Sequence, residues 1–252
     1  HPDVGGLSNL LAHPNVAASI DLLPDFSDPA AYVPLLVVPL AVPAVAATAW
    51  HGVVAETWVA ATACALVATV VLFTGEVGEA FAQASAYGHE RRFPLRPPPG
   101  YLTAAVLAWV LAAAGLLVGP LLLAAGQWAV GAPVTLLVGV AVFAWPRWYQ
   151  LGRRWLVLVP AGVVIHDHLV LAETVMLRRI DLAGVALAAV GTEAADLTGP
   201  APGHALEIRT GESVTAILRG TPSDPRGTAI HLRACLVAPT RPGHALRALQ
   251  PG

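Results

Sequence analysis

The chain has 252 residues, of which 56% are hydrophobic and only 12% charged, with a net charge of −2. Soluble domains carry roughly 25% charged residues, so the composition points to a lipid environment. The negative balance argues against a nucleic-acid partner, which calls for a basic patch. All 14 basic residues are arginine, and with so much Ala, Val, Gly and Pro this usage suggests a GC-rich bacterial genome. Cys64 and Cys235 offer neither a disulfide framework nor a metal-binding spacing, and no cofactor is expected.

Residues 1–30 contain Asp3, Asp21, Asp25 and Asp28 but no Arg, which does not suit the n-region of a signal peptide. The chain starts at His1 rather than Met, so further sequence is expected ahead of it. Leu7, Leu10 and Leu11, then Val16, Ile20 and Leu23, recur at helical spacing on either side of His13-Pro14, with Asn15 placed as an N-cap. Two short amphipathic helices at the membrane surface are expected. Their polar faces carry Asp, so contact with the protein's own domain or a partner fits better than attraction to anionic lipid.

Residues 31–150 read as the membrane domain. Four apolar stretches fill it, free of charge apart from Glu56 and the acids near the end of the second. They run Tyr32 to Trp50, Val54 to Phe73, Tyr101 to Ala125, and Gln127 or Ala129 to Trp145. Each is close to the roughly 20 residues that a bilayer core demands. Pro34, Pro39 and Pro43 predict a bent first helix packed against neighbours. His51-Gly52-Val53 and Gly126 to Pro133 are short enough for hairpin turns, giving four transmembrane helices as two hairpins. Transporters of ions usually keep an ionisable group near the midplane, and these spans are bare.

Arginine sets the orientation. Arg91, Arg92 and Arg96 lie between the second and third spans, and Arg147, Arg153 and Arg154 follow the fourth. By the positive-inside rule both termini are cytoplasmic, in a bacterial cytoplasmic membrane. Trp50, Trp58, Tyr101, Trp128, Trp145 and Trp148 fall at span ends, where amphipathic rings sit. Small residues line the spans: Gly115 and Gly119, Thr135 and Gly139, and Ala60, Cys64 and Ala68. Such spacing lets helix backbones approach. Gly115, Gly119, Thr135 and Gly139 therefore predict either packing of the spans on one another or an interface with other integral membrane subunits.

Between the second and third spans, residues 74–100 read as a cytoplasmic extension. The second helix is expected to continue to Phe93-Pro94, with Pro97-Pro98-Pro99 as a stiff connector. Glu76, Glu79, Ser85, His89 and Glu90 gather functional side chains there. No catalytic motif frames them, so they read as a solvated helix face ending in Arg91 and Arg92.

Residues 151–252 change period. Trp155 to Val159 and Val163 to His166 flank a Pro160-Ala161-Gly162 turn, followed by Leu169 to Leu171, Val175 to Arg179 and Val185 to Val190. Ala205 to Arg209 and Val214 to Leu218 are predicted as a hairpin about Gly211-Glu212. A last strand from Ile230 to Val237 precedes a closing helix, Pro242 to Leu249. His166 and His168 share a strand face and offer a metal two ligands without a third, so no metal site is assigned.

WLVLVPAGVVIHDHLVL (Trp155 to Leu171) and CLVAPTRPGHALRAL (Cys235 to Leu249) resemble the opening hairpin and the closing strand and helix of bacterial pleckstrin-homology-like domains. The whole chain looks like an uncharacterised actinobacterial membrane-protein family with this layout. The resemblance implies a PH-like cytoplasmic domain that binds or assembles and performs no chemistry. Inositide-binding members use Lys and Arg in the first strand loops, and Pro160-Ala161-Gly162 has neither. The expected function is a non-catalytic accessory or scaffold subunit of a membrane complex. A small transporter or lipid-handling protein, and an enzyme with a cytoplasmic-face site near His89, are the alternatives.

Overall fold

The computed structural model of the protein describes residues 37–42, 44, 55–220 and 227–250. The segment expected within residues 1–30, most of the first apolar stretch and the His51-Gly52-Val53 turn lie outside them. Of that stretch a short piece with a 3-10 turn at Val38–Leu40 is described.

Two helical rods are long and apolar enough to cross a membrane, Pro99–Ala124 and Trp128–Gly152, and only 11% of the most apolar window of each is buried within the protein. Surfaces this apolar and this uncovered need lipid or other helices around them. Ahead of them lie helices α1 (Ala55–Leu72) and α2 (Gly75–Ala84). Residues Val59–Leu72 and α2 pass the same test only as a pair bent by 59°. The bend has a local cause: Thr74 leaves helical geometry and caps α2, its hydroxyl accepting the Val77 N–H at 3.5 Å.

Helix α3 (Pro99–Ala124) starts on prolines, where a missing N–H costs nothing. It ends in a Schellman turn. Gly126, at φ +77°, donates to Leu123 O, and Gln127 donates to Leu122 O at 2.9 Å. The returning rod is two helices, α4 (Trp128–Leu136) and α5 (Gly139–Gly152). At their junction the Leu137 and Val138 N–H groups reach back only three residues, both at 3.1 Å, a tightened turn that separates the two helices.

Glycine sets how closely the two rods approach. A Cβ at Gly115 would lie 2.6 Å from Val138 N, and one at Gly119 would lie 2.3 Å from Thr135 Oγ1. The GxxxG face is thus filled by the chain's own α4–α5 rod. At Gly115 and Gly119 the close approach is to the chain's own helices, which is the first of the two alternatives that the spacing allows. Thr135 belongs to the same seam, while a Cβ at Gly139 would meet nothing within 4 Å.

The β-rich part holds two sheets. The first has the order β1 (Arg91–Pro94), β2 (Trp155–Val159), β3 (Gly162–His166) and β4 (Val175–Arg178). The second has the order β5 (Leu182–Leu187), β7 (Leu206–Leu218), β8 (Thr228–Val237) and β6 (Ala195–Asp196). The closing helix, α6 (Pro242–Leu249), falls where the sequence predicts it, with Ala245 in the core. Leu156, Val163, Ile165, Leu177, Leu206, Ile208, Cys235 and Val237 make up that core, each 0% exposed.

Strand β1 pairs with β2 across the helical rods. The two are antiparallel, from Arg91 opposite Leu158 to Pro94 opposite Trp155. The helices α3 to α5 are therefore an insertion between adjacent strands of one sheet. The helix predicted to run to Phe93-Pro94 stops at Ala84, and Phe93, 2% exposed, belongs to the β core. Helical spacing in residues 74–92 lost to pairing with the apolar β2 strand, a case of tertiary context overriding local pattern.

Two further expectations fail locally. Leu169 to Leu171 forms a turn touching β7 through one bridge, Leu171 to Leu218. The hairpin about Gly211-Glu212 is instead a bulge inside one long strand, β7, between Arg209 and Val214.

Candidate functional site

Among the described residues, a cleft of about 270 Å³ on the outer face of the first sheet combines charged, aromatic and apolar side chains. Strand β2 turns Leu156 into the core and Trp155 and Val157 outward, where Ala82 of α2 covers part of them. Val159 and Val164 continue the apolar floor. The rim is Ser85, Tyr87, Glu90, Arg92, Arg153 and His166.

The loop after α2 is built to place that rim. Gly88 turns at φ +60°, Gln83 Nε2 donates to Glu90 O at 2.9 Å, and the Tyr87 N–H donates to Glu90 Oε1 at 2.6 Å. Glu90 then receives Arg92 Nε at 2.9 Å and Nη2 at 2.5 Å, while Arg92 Nη1 donates to Ser85 Oγ at 2.8 Å. The Arg92 guanidinium lies over Trp155, 4.5 Å from the ring centroid.

Arg153 enters from the other side, directly beyond α5. Its guanidinium lies 5.1 Å from the Tyr149 ring and 5.7 Å from the Trp155 ring, and its Nη1 donates to the Tyr149 hydroxyl at 2.9 Å. Among the described residues no carboxylate pairs with it, and its Nε is buried without a partner.

His166 stacks on Trp155 with centroids 5.7 Å apart and sits 4.3 Å from the His168 ring. Burial, helped by His168, Arg153 and Arg92 and opposed by Asp167, pushes the His166 imidazole down to about 4. It is neutral at physiological pH. Its Nδ1 pairs with Thr174 Oγ1 at 3.1 Å, and its Nε2 is buried with no partner. The two imidazoles expected to share a face do meet, and among the described residues no third His, Cys, Asp or Glu joins them as a metal ligand.

Other charged residues serve the architecture. Glu79, read from sequence as solvated, accepts His244 Nδ1 at 2.8 Å and Arg241 Nη1 at 3.1 Å, pinning α2 to the start of α6. Arg96 donates to the His204 carbonyl. Arg154, 1% exposed, is fully internal. Of the residues gathered for an enzyme site, Ser85 and Glu90 line the cleft and His89 is exposed outside it. Glu90 is held by Arg92 and the Tyr87 N–H, an arrangement that orders a loop.

A second cavity, about 470 Å³, runs between α3 and α5 and is lined by Leu102, Val106, Trp109, Trp145 and Trp148 among others. Its walls are apolar, as expected for the flank of lipid-facing helices.

No family model, curated protein or solved structure matches the chain. The site therefore stands on its own geometry. Sequence reading assigned no binding role to Trp155, Arg153 or Tyr87. The available signal was a strand apolar on both faces, WLVLV, which requires a cover outside as well as a core inside.

Proposed function

We propose that the protein is a non-catalytic accessory or scaffold subunit of a bacterial membrane complex, presenting a binding domain at a fixed height above the bilayer. One observation carries this reading: the transmembrane rods leave and re-enter a single sheet at the paired residues Pro94 and Trp155. A domain tethered by a flexible linker drifts; one with its membrane hairpin inserted between hydrogen-bonded strands is held rigidly. The Glu79 contact with Arg241 and His244 adds a strut from α2.

The reading takes in the finer assignments as proposals. The apolar stretches form four spans, with the β-rich part and both termini cytoplasmic. Two sheets closed by Pro242–Leu249 fit the PH-like layout that the strand and helix motifs resemble. Membrane docking would use helix faces outside the Gly115 and Gly119 seam.

Affinity purification of the full chain from native membranes in mild detergent, followed by mass spectrometry, tests this directly. Stoichiometric integral membrane partners are expected. A lone protein recovered at normal yield under several mild detergents would overturn the subunit reading.

A further inference from the structure

We propose that the cleft beside Trp155 binds a phosphate-bearing anion, supplied by the headgroup of an anionic phospholipid in the leaflet next to the β-rich domain. The charge balance of the rim points there. Arg92 is matched by Glu90, whereas Arg153 has the neutral Tyr149 hydroxyl as its hydrogen-bond partner and no carboxylate among the described residues. Arg153 Nε and His166 Nε2 are both buried without partners in the same wall. Buried polar groups normally find a partner, and here two of them in one wall leave the positive charge of Arg153 without an anion beside it.

Position names the source. Arg153 follows directly on α5, whose last turns carry Trp148 and Tyr149, side chains that favour the headgroup level. A guanidinium there offers a planar fork matched to phosphate oxygens. The floor of Val157, Val159 and Val164 suits glycerol and upper acyl carbons, which a bare inorganic ion does not need. Arg153 and His166 lie at the Trp155 end of β2, away from the Pro160-Ala161-Gly162 turn. Glu90, the carboxylate in the wall, is held by three donors and directed at Arg92.

Native mass spectrometry of the full chain in mild detergent tests the proposal, with phosphatidylglycerol and phosphatidylcholine offered at equal ratio. Thermal stability with inorganic phosphate forms a separate arm. The wild type should retain phosphatidylglycerol preferentially. Arg153→Gln should lose that preference, and Arg147→Gln, which changes an exposed arginine outside the cleft, should keep it. If Arg153→Gln does not fold, Val164→Glu places a carboxylate on the floor and should lose the preference as well. A response to inorganic phosphate that needs Arg153, without any lipid preference, would support the anion site and overturn its lipid source. Equal retention of both lipids with no phosphate response, or Arg153→Gln behaving as wild type in both arms, would overturn the site. These outcomes do not depend on whether a partner complex exists.

Discussion

Arg154 grips both carboxylate oxygens of Asp167, through Nε at 2.8 Å and Nη2 at 2.6 Å, with the two side chains 1% and 0% exposed. The same guanidinium donates through Nη1 to the Arg96 carbonyl at 2.6 Å, just before α3, and Asp167 Oδ1 accepts the Leu169 N–H at 3.0 Å. One buried pair thus ties the exit to the membrane, the return from it and the turn after β3. Removing one partner of a buried pair strands a charge and costs about 3–5 kcal/mol. Asp167→Ala should therefore cause a large fall in the melting temperature of the detergent-solubilised chain. Replacing both partners with apolar residues, Arg154→Met with Asp167→Leu, should cost less than Asp167→Ala alone. Wild-type stability in Asp167→Ala would show that the pair does not hold these segments.

The helix seam gives a second prediction. At Gly119 even an alanine would place its Cβ 2.7 Å from the Thr135 Cα, and backbone cannot yield as a flexible side chain can. Gly119→Ala should lower thermal stability and Gly119→Leu should sharply reduce the folded yield. Gly139→Ala should stay near wild type, since its Cβ meets nothing within 4 Å. Fluorescence-detected size exclusion after heating measures all three. Equal behaviour of Gly119→Ala and Gly139→Ala would contradict the close approach of the two rods.

What the sequence made legible follows from how local each signal is. Spans α3 and α4–α5 announce themselves by uninterrupted apolar length, and β2, β3, β8 and α6 by short apolar runs and a proline start. Strand β1 was not legible, because Arg91-Arg92-Phe93-Pro94 is polar and brief, and its partner β2 lies beyond the whole membrane insertion. The Gly211-Glu212 pair reads as a turn, yet pairing with a single strand on both sides of it makes it a bulge. The cleft was hidden for the same reason. Its walls come from the loop after α2, the end of α5 and three strands, β1 to β3, which only the fold brings together.

Protonation of His166 should set an acid limit on stability. Its folded-state value, about 4, lies below the ordinary imidazole value near 6.5. The folded state thus favours the neutral ring, and the unfolded chain binds the proton first as pH falls. The contribution is complete above about pH 6.5 and is lost progressively as pH drops from there toward 4. Denaturation midpoints at pH 7, 5.5 and 4.5 should fall in that order, and His166→Phe, which keeps a ring on Trp155, should flatten the decline. The same slope in wild type and His166→Phe would place the acid sensitivity elsewhere.

The orientation of the hairpin can be read with single cysteines because the native thiols interfere little. Cys235 is 0% exposed, and burial together with the charge of Glu207 pushes its thiol up to about 12, so it will not react. Cys64 lies exposed on α1 and is removed as Cys64→Ser. In that background Gln127→Cys sits in the exposed turn between α3 and α4, and His89→Cys in the exposed loop before β1. Arginine is concentrated on the β-rich side, at positions 91, 92, 96, 153 and 154, and the α3–α4 turn has none. The positive-inside rule thus places His89 in the cytoplasm and Gln127 outside. A membrane-impermeant maleimide should label Gln127→Cys in intact cells and His89→Cys only after permeabilisation. Several of these arginines are bound within the β-rich domain, as Arg92 is to Glu90 and Arg154 to Asp167, but insertion precedes that folding and reads the unpaired charges. Labelling of His89→Cys in intact cells, with Gln127→Cys protected, would invert the topology and place the binding domain outside.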